Sequence, residues 1–342
     1  RGGNGPCSLF GSSTTLTGML TTLKFAQRAI ARSGLAPTLS CFRMSNGRVT
    51  ASNGILAMSA PLALSFEAAP AAVHFTKAID ACEGPMTIAQ DSPTRMTVKA
   101  GGFKASIPCL PVATIPTVRP EGEFIPNISL VDAFKMLRPF VSTDDQPDKA
   151  WANGIMLDAQ CAWATNNVTL AQCWLGGSHV PFKINIPLPM VDEMIHVREE
   201  PTTLQVGKTS ITAHYADGRW IRSQLSALEW PNLGTVLEAA WEGRTLEPVR
   251  EEFKDACAKL AKFAGKDDHK TYLRGLDVAT ARSNDTDGIA SVAVLCDNEG
   301  CYHTRYLADV LAVAEAADFG NYPRPVPFAG GTMRGVICGV RE

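Results

Sequence analysis

Ten cysteines and six histidines are the side chains of this 342-residue chain best suited to hold a metal or attack a carbonyl. Their spacing argues against both roles. Cys41, Cys82, Cys109, Cys161 and Cys257 stand far apart and no C-x-x-C pair occurs, the pattern of small buried apolar thiols in a reducing compartment. His74, His179, His196, His214, His269 and His303 are scattered singly and read as packed or surface histidines. A Cys–His hydrolase is the enzyme alternative, because residues distant in sequence can meet in space. The chain holds no G-x-S-x-G elbow, no G-x-x-x-x-G-K-[ST] phosphate loop and no H-E-x-x-H helix. Asp285-Thr-Asp-Gly288 starts like a calcium loop, lacks the later ligands, and reads as a turn. The expectation is a non-catalytic chain with no cofactor and no metal.

The remaining chemistry is cationic. Lys24, Arg28 and Arg32 recur at i, i+4 and i+8, which on a helix is one face. Lys135 with Arg138, and Lys259 with Lys262 and Lys266, extend the theme, while Asp192 and Glu193 oppose it. Since 32 Lys and Arg face 34 Asp and Glu, any attraction to nucleic acid must come from such local patches.

These residues fall on elements that repeat. Phe75–Ile79, Val191–Ile195 and Leu307–Leu311 each carry apolar residues at i, i+3 and i+4, and each starts 116 residues after the last. A second helix family, Leu23–Arg32, Leu130–Leu137 and Val249–Phe263, carries Phe25, Phe134 and Phe253. Between them, Arg48–Gly54, Gly154–Leu157 and Ser291–Leu295 read as strands. Pro116 and Pro231, 115 residues apart, close successive periods. The fold class is therefore α+β, with three repeated domains of two helices packed on antiparallel sheets. Their expected extents are 1–120, with a flexible lead-in over 1–13, then 121–243 and 244–342. No apolar run reaches membrane-span length, and the chain reads as soluble and cytoplasmic.

Short segments in this order resemble the beta sliding clamp of bacterial DNA polymerase III, from about Leu16 to Glu342. Ser106-Ile-Pro-Cys-Leu-Pro111 looks like the end of that family's first domain. Asn153-Gly-Ile-Met-Leu157 and Trp163-Ala-Thr-Asn-Asn-Val-Thr-Leu170 look like its N-G-x-x-L and A-T-D-G-H-R-L strands. Arg305–Leu311 is similar to its last helix, and Gly335–Glu342 to its terminal strand and tail. Two departures stand out: Asn166-Asn-Val-Thr169 replaces Asp-Gly-His-Arg, and Cys338-Gly-Val340 replaces Met-Pro-Met. The chain reads as a divergent member, of phage or mobile-element type.

The resemblance implies a DNA-clamp fold whose helices line a ring around double-stranded DNA. It implies DNA contact by Lys24, Arg28, Arg32, Lys77, Lys135, Arg138, Lys149, Trp151, Lys259, Lys262 and Lys266. A replicative polymerase and a clamp loader would dock through short apolar peptides. Their cleft would be Ala152, Thr165, Val168, Thr169, Leu170, Pro231, Val236, Ile337, Cys338 and Val340. A head-to-tail homodimer would close through Lys104–Ile107 and Lys262–Gly265, with Ala105, Ile107 and Phe263 at the interface. The rival reading on the same residues is a clamp-like protein-binding scaffold that does not load onto DNA.

Overall fold

The computed structural model describes residues 7–9, 13–31, 36–64, 66–125, 129–144, 147–264, 269–274, 278–283, 289–294 and 298–341. Among them are seven α-helices: α1 (Ser13–Gln27), α2 (Ala72–Asp80), α3 (Val131–Leu137), α4 (Leu188–Val197), α5 (Gly234–Trp241), α6 (Glu251–Ala264) and α7 (Thr304–Leu311). Six of them pack as pairs, α1 on α2, α3 on α4 and α6 on α7. The repeated apolar triplets specify α2, α4 and α7, whose inward residues Phe75, Ile79, Val191, Met194, Leu307 and Val310 are all buried. Pro189 in the first turn of α4 loses no helical bond, and left-handed Arg198 (φ 61°) closes that helix. Pro139 turns the end of α3 into a 3-10 turn at Arg138–Phe140.

The helix expected over Leu23–Arg32 differs. It begins at Ser13 and ends at Gln27. The next amides bond three residues back, Arg28 to Phe25, Ala29 to Ala26 and Ile30 to Gln27. This tighter winding abandons the 3.6-residue period, so Lys24 and Arg28 do not continue one helical stripe. Arg32 lies outside the described residues. The lead-in also differs: Cys7–Leu9 is a strand antiparallel to Met86–Ile88.

The described strands form four antiparallel sheets. The chain divides into two compact units, each assembled from non-contiguous segments. The first, Arg1–Asn127 with Glu199–Leu225, holds a five-stranded sheet and a seven-stranded sheet. In the latter, Trp220–Gln224 pairs with Leu56–Pro61, Ser223 opposite Leu56. Alternation is clean in Arg48–Ser52, where Val49 and Ala51 are buried and their neighbours half-buried. Phe42, Phe75, Leu23 and Ile79 fill this unit's core. Each such side chain contributes roughly 1.5–3 kcal/mol of burial.

The second unit, Ile128–Arg198 with Ser226–Glu342, holds an eight-stranded and a four-stranded sheet. Strand Thr169–Trp174 pairs with Met333–Ile337, Thr169 opposite Ile337 and Leu170 opposite Val336. Phe140 stacks on Phe328 at 6.0 Å in its core. The units cut the chain elsewhere than at 120/121 and 243/244, because ladder pairing joins strands distant in sequence.

Candidate functional site

The residues expected to form the peptide cleft lie in the second unit, around the hairpin turn between strands Cys161–Thr165 and Thr169–Trp174. Asn166 builds this turn. Its buried Oδ1 accepts from the amides of Val168 (3.1 Å) and Thr169 (2.8 Å) and from the Thr169 hydroxyl (2.9 Å). Asn167 takes the left-handed conformation at φ 68°, which asparagine tolerates. The Thr165 hydroxyl donates to the Thr169 carbonyl at 2.6 Å. Both threonine hydroxyls are thus spent inside the turn.

Backbone bonds bring the rest of the set together. The amide of Cys338 donates to the Val168 carbonyl at 2.8 Å, pinning the tail to the turn. The Ser142 amide is shared between the carbonyls of Ala152 and Thr165, both at 3.1 Å. The Val340 amide donates to the Cys301 carbonyl at 2.7 Å, and the Tyr322 hydroxyl to the Val340 carbonyl at 2.9 Å. Ala152, Thr165, Thr169, Leu170 and Ile337 are buried. Val168 and Val340 are half-buried, while Pro231, Val236 and Cys338 are exposed. The accessible apolar surface is therefore Val168 on the turn, Val340 in the tail, Pro231 before α5 and Val236 on α5.

Helix α5 was missed by the sequence reading, although it supplies the floor. Leu237 packs with Leu170 and Val336, flanked by Trp163, Leu233, Ala240 and Trp241. Leu233, Leu237, Ala240 and Trp241 follow i, i+4, i+7 and i+8, a signal that the Pro231–Gly234 turn residues obscured. The Trp241 indole donates to the Gly335 carbonyl at 3.2 Å, and Arg334 lies over the Trp241 ring at 5.8 Å while bonding Glu238 at 2.6 Å. A side chain on Gly335 would collide with the Phe328 ring and the Leu170 carbonyl, so glycine is required where the helix, ladder and core meet.

The expected DNA-facing cations are unevenly available. In the first unit Lys24 is exposed and 3.4 Å from Asp80 of α2, and Arg28 and Lys77 are exposed. In the second unit Arg138 forms a two-toothed pair with Asp192 of α4, its Nη2 3.2 Å from Oδ2. Arg138 is thus half-buried and engaged in joining α3 to α4, and the acidic residue that opposed the pattern is its partner. Lys135 pairs with Asp132 at 2.8 Å. Lys149 is half-buried in a 3-10 turn. Trp151 meets Trp230 edge to face at 5.2 Å, and its carbonyl accepts from Asn185 at 2.7 Å, which makes it a packing residue. Lys259 and Lys262 are exposed on α6, and Lys266 lies outside the described residues.

At the expected dimer edges the strand Phe103–Leu110 points Ile107 inward, at 1% exposure, and leaves Ala105 half-buried. Ile107 belongs to the core of its own unit and is not available to a second chain. Strand alternation puts Lys104, Ser106 and Pro108 outward instead. Phe263, in the last turn of α6, is 48% exposed. Gly265, at the end of the expected second edge, lies outside the described residues.

The thiols run against a hydrolase. Burial raises Cys41, Cys82, Cys161 and Cys173 above the usual thiol range and pushes Cys109 up to about 11, the reverse of nucleophile activation. Among the described residues no cluster of three or more His, Cys, Asp and Glu could hold a metal.

No protein-family model matches the sequence, and no curated protein sequence matches it. Solved structures do. The DNA polymerase sliding clamp of Caulobacter crescentus superposes with a TM-score of 0.79 at 17% identity, over 96% of this chain and 98% of that one. The clamp of Bartonella birtlesii bound to griselimycin gives 0.78 at 16% identity, and that of Pseudomonas aeruginosa with ligand gives 0.76 at 16%, each over 96% of this chain and 98% of the other. With three packed helix pairs and antiparallel sheets throughout, this chain has the fold of the bacterial DNA polymerase III beta sliding clamps.

Proposed function

We propose that the protein is a processivity factor, a non-catalytic ring of two chains that encircles duplex DNA and tethers a polymerase. The observation that carries this reading is the clamp fold along 96% of the chain. A closed ring leaves a long duplex only by opening, so weak individual contacts suffice. The three clamp domains would span 1–120, 121–243 and 244–342, one helix pair each. Lys24, Lys77, Lys259 and Lys262 on their helices, and Arg28 just past the end of α1, are exposed and would face phosphates. Polymerase and loader peptides would dock on Val168, Pro231, Val236 and Val340 above the α5 floor. The ring would act in the cytoplasm. No described helix is long and apolar enough to cross a membrane.

Head-to-tail closure is supported by the strand Phe103–Leu110, which pairs with Arg95–Ala100 along its length and with Ala69–Pro70 only at its end. The decisive experiment loads the protein on nicked circular DNA and then linearises it. Retention followed by loss is expected; equal retention on both forms would refute enclosure.

The scaffold alternative draws on one observation, the pairing of Arg138 with Asp192. Light scattering at micromolar concentration separates the readings: a dimer is expected for the ring, and a stable monomer favours the scaffold.

A further inference from the structure

The turn that Asn166 builds has a twin in the first unit. Asn53 Oδ1 accepts from the amides of Ile55 (3.0 Å) and Leu56 (2.8 Å), as Asn166 Oδ1 does from Val168 and Thr169. Ser52 Oγ accepts from the Gly54 amide at 3.2 Å, and Thr165 Oγ1 from the Asn167 amide at 3.1 Å. The residue between is left-handed in both, Gly54 at φ 94° and Asn167 at φ 68°. The carbonyl of the fourth residue accepts from a neighbouring strand's end in both, Ile55 from Gln224 at 3.0 Å and Val168 from Cys338 at 2.8 Å. Even the following pair matches, Leu56 opposite Ser223 and Thr169 opposite Ile337.

At the first turn the fourth residue, Ile55, is 56% exposed and lines a cavity of about 180 Å³. Its walls include Leu39, Ala57, Ile115 and Val118, together with Arg43 and Arg222. Among the described residues no carboxylate lines it. Arg43 is anchored by donating to the carbonyls of Val112 (2.8 Å) and Ile115 (2.9 Å), which fixes the connector that forms one wall. Arg222 bonds Glu121 at 3.0 Å and, with Val118, continues into a shallower hollow that also holds Arg119. Three guanidiniums against one carboxylate give the whole surface a positive bias.

We propose that this cavity is a second peptide-anchoring site, taking one aliphatic side chain of an acidic, extended segment of a partner protein. The apolar walls accept the side chain, and Arg222 and Arg119 face the flanking carboxylates. The kind of ligand rests on the peptide reading of the Asn166 turn; the cavity and its charge belong to the first unit alone.

The test titrates the full-length protein, methyl-labelled at Ile, Leu and Val, with the peptide acetyl-Asp-Leu-Asp-Asp-amide. Saturable shifts of Leu39, Ile55 and Ile115 are expected. Ile55→Glu, at an exposed turn position, should weaken them about tenfold, and Arg119→Glu about threefold. Val236→Glu should leave them unchanged, and thermal melts should show all three variants folded. Shifts confined to Val168, Val236 and Val340 would overturn this inference while leaving the first peptide site standing. An unresponsive Ile55, or equal binding of acetyl-Lys-Leu-Lys-Lys-amide, would also overturn it.

Discussion

At the scale of single residues, the two asparagine turns carry more structure than their exposed neighbours suggest. Asn166→Ala leaves two amides and one buried hydroxyl without an acceptor, and should cost about 2 kcal/mol in urea unfolding. Asn167→Gly, at a position already left-handed, should be nearly neutral in the same assay. A second residue sets a pH dependence. Burial pushes the Asp309 carboxyl on α7 up to about 6, against the opposing pull of Arg305 at 3.9 Å. A carboxyl raised in the folded state contributes stability that is full below its ordinary range and is lost as pH rises through about 6. Asp309→Asn should therefore raise stability at pH 8 by roughly 2 kcal/mol, discounted for its partial exposure, and flatten the profile between about pH 4 and 7. Denaturant midpoints measured across that range check the sign.

At the scale of elements, α3 and α4 are tied by Arg138 and Asp192 at the surface of their packed faces. A double-mutant cycle with Arg138→Ala and Asp192→Ala should return a coupling of about 0.5–1 kcal/mol, as for a partly exposed bidentate pair. Arg138→Ala should change DNA retention less than Lys77→Ala, because only the lysine is exposed. Helix α5 depends on Gly335. Gly335→Ala forces a methyl against Phe328 and the Leu170 carbonyl, and should destabilise the second unit by about 2 kcal/mol or more. Quenching of Trp241 fluorescence, whose indole bonds that same residue, reports the displacement.

At the scale of the whole molecule, the proposed topological link predicts a salt response unlike that of ordinary DNA binding. Raising salt should speed loss from linear DNA steeply and leave the lifetime on nicked circles almost unchanged, since enclosure does not depend on counterion release. Pull-down from both DNA forms over a salt series measures this directly. The near balance of 32 cationic and 34 acidic residues fits the proposed enclosure, which would need no strong field.

The sequence by itself determined the repeat. Apolar triplets 116 residues apart specify α2, α4 and α7, because a helical stripe has one period and can be read locally. It also marked strands within Arg48–Gly54 and Gly154–Leu157, whereas the Trp163–Leu170 run that carries the candidate turn stood out through the family resemblance. What it could not supply was the partner of each surface charge or the inward side of each strand. Arg138, a DNA contact by the resemblance, is engaged by Asp192, 54 residues away, and Ile107, an interface residue by the resemblance, is turned inward by the fold. The helix after Lys24 stopped at Gln27 because backbone winding tightened there, a choice the cationic spacing does not encode. The match between the Asn53 and Asn166 turns was likewise invisible in Ser-Asn-Gly-Ile-Leu against Thr-Asn-Asn-Val-Thr. Hydrogen bonding constrains the backbone shape of a turn while leaving most of its side chains free, so only the tertiary structure could show that the two are one device.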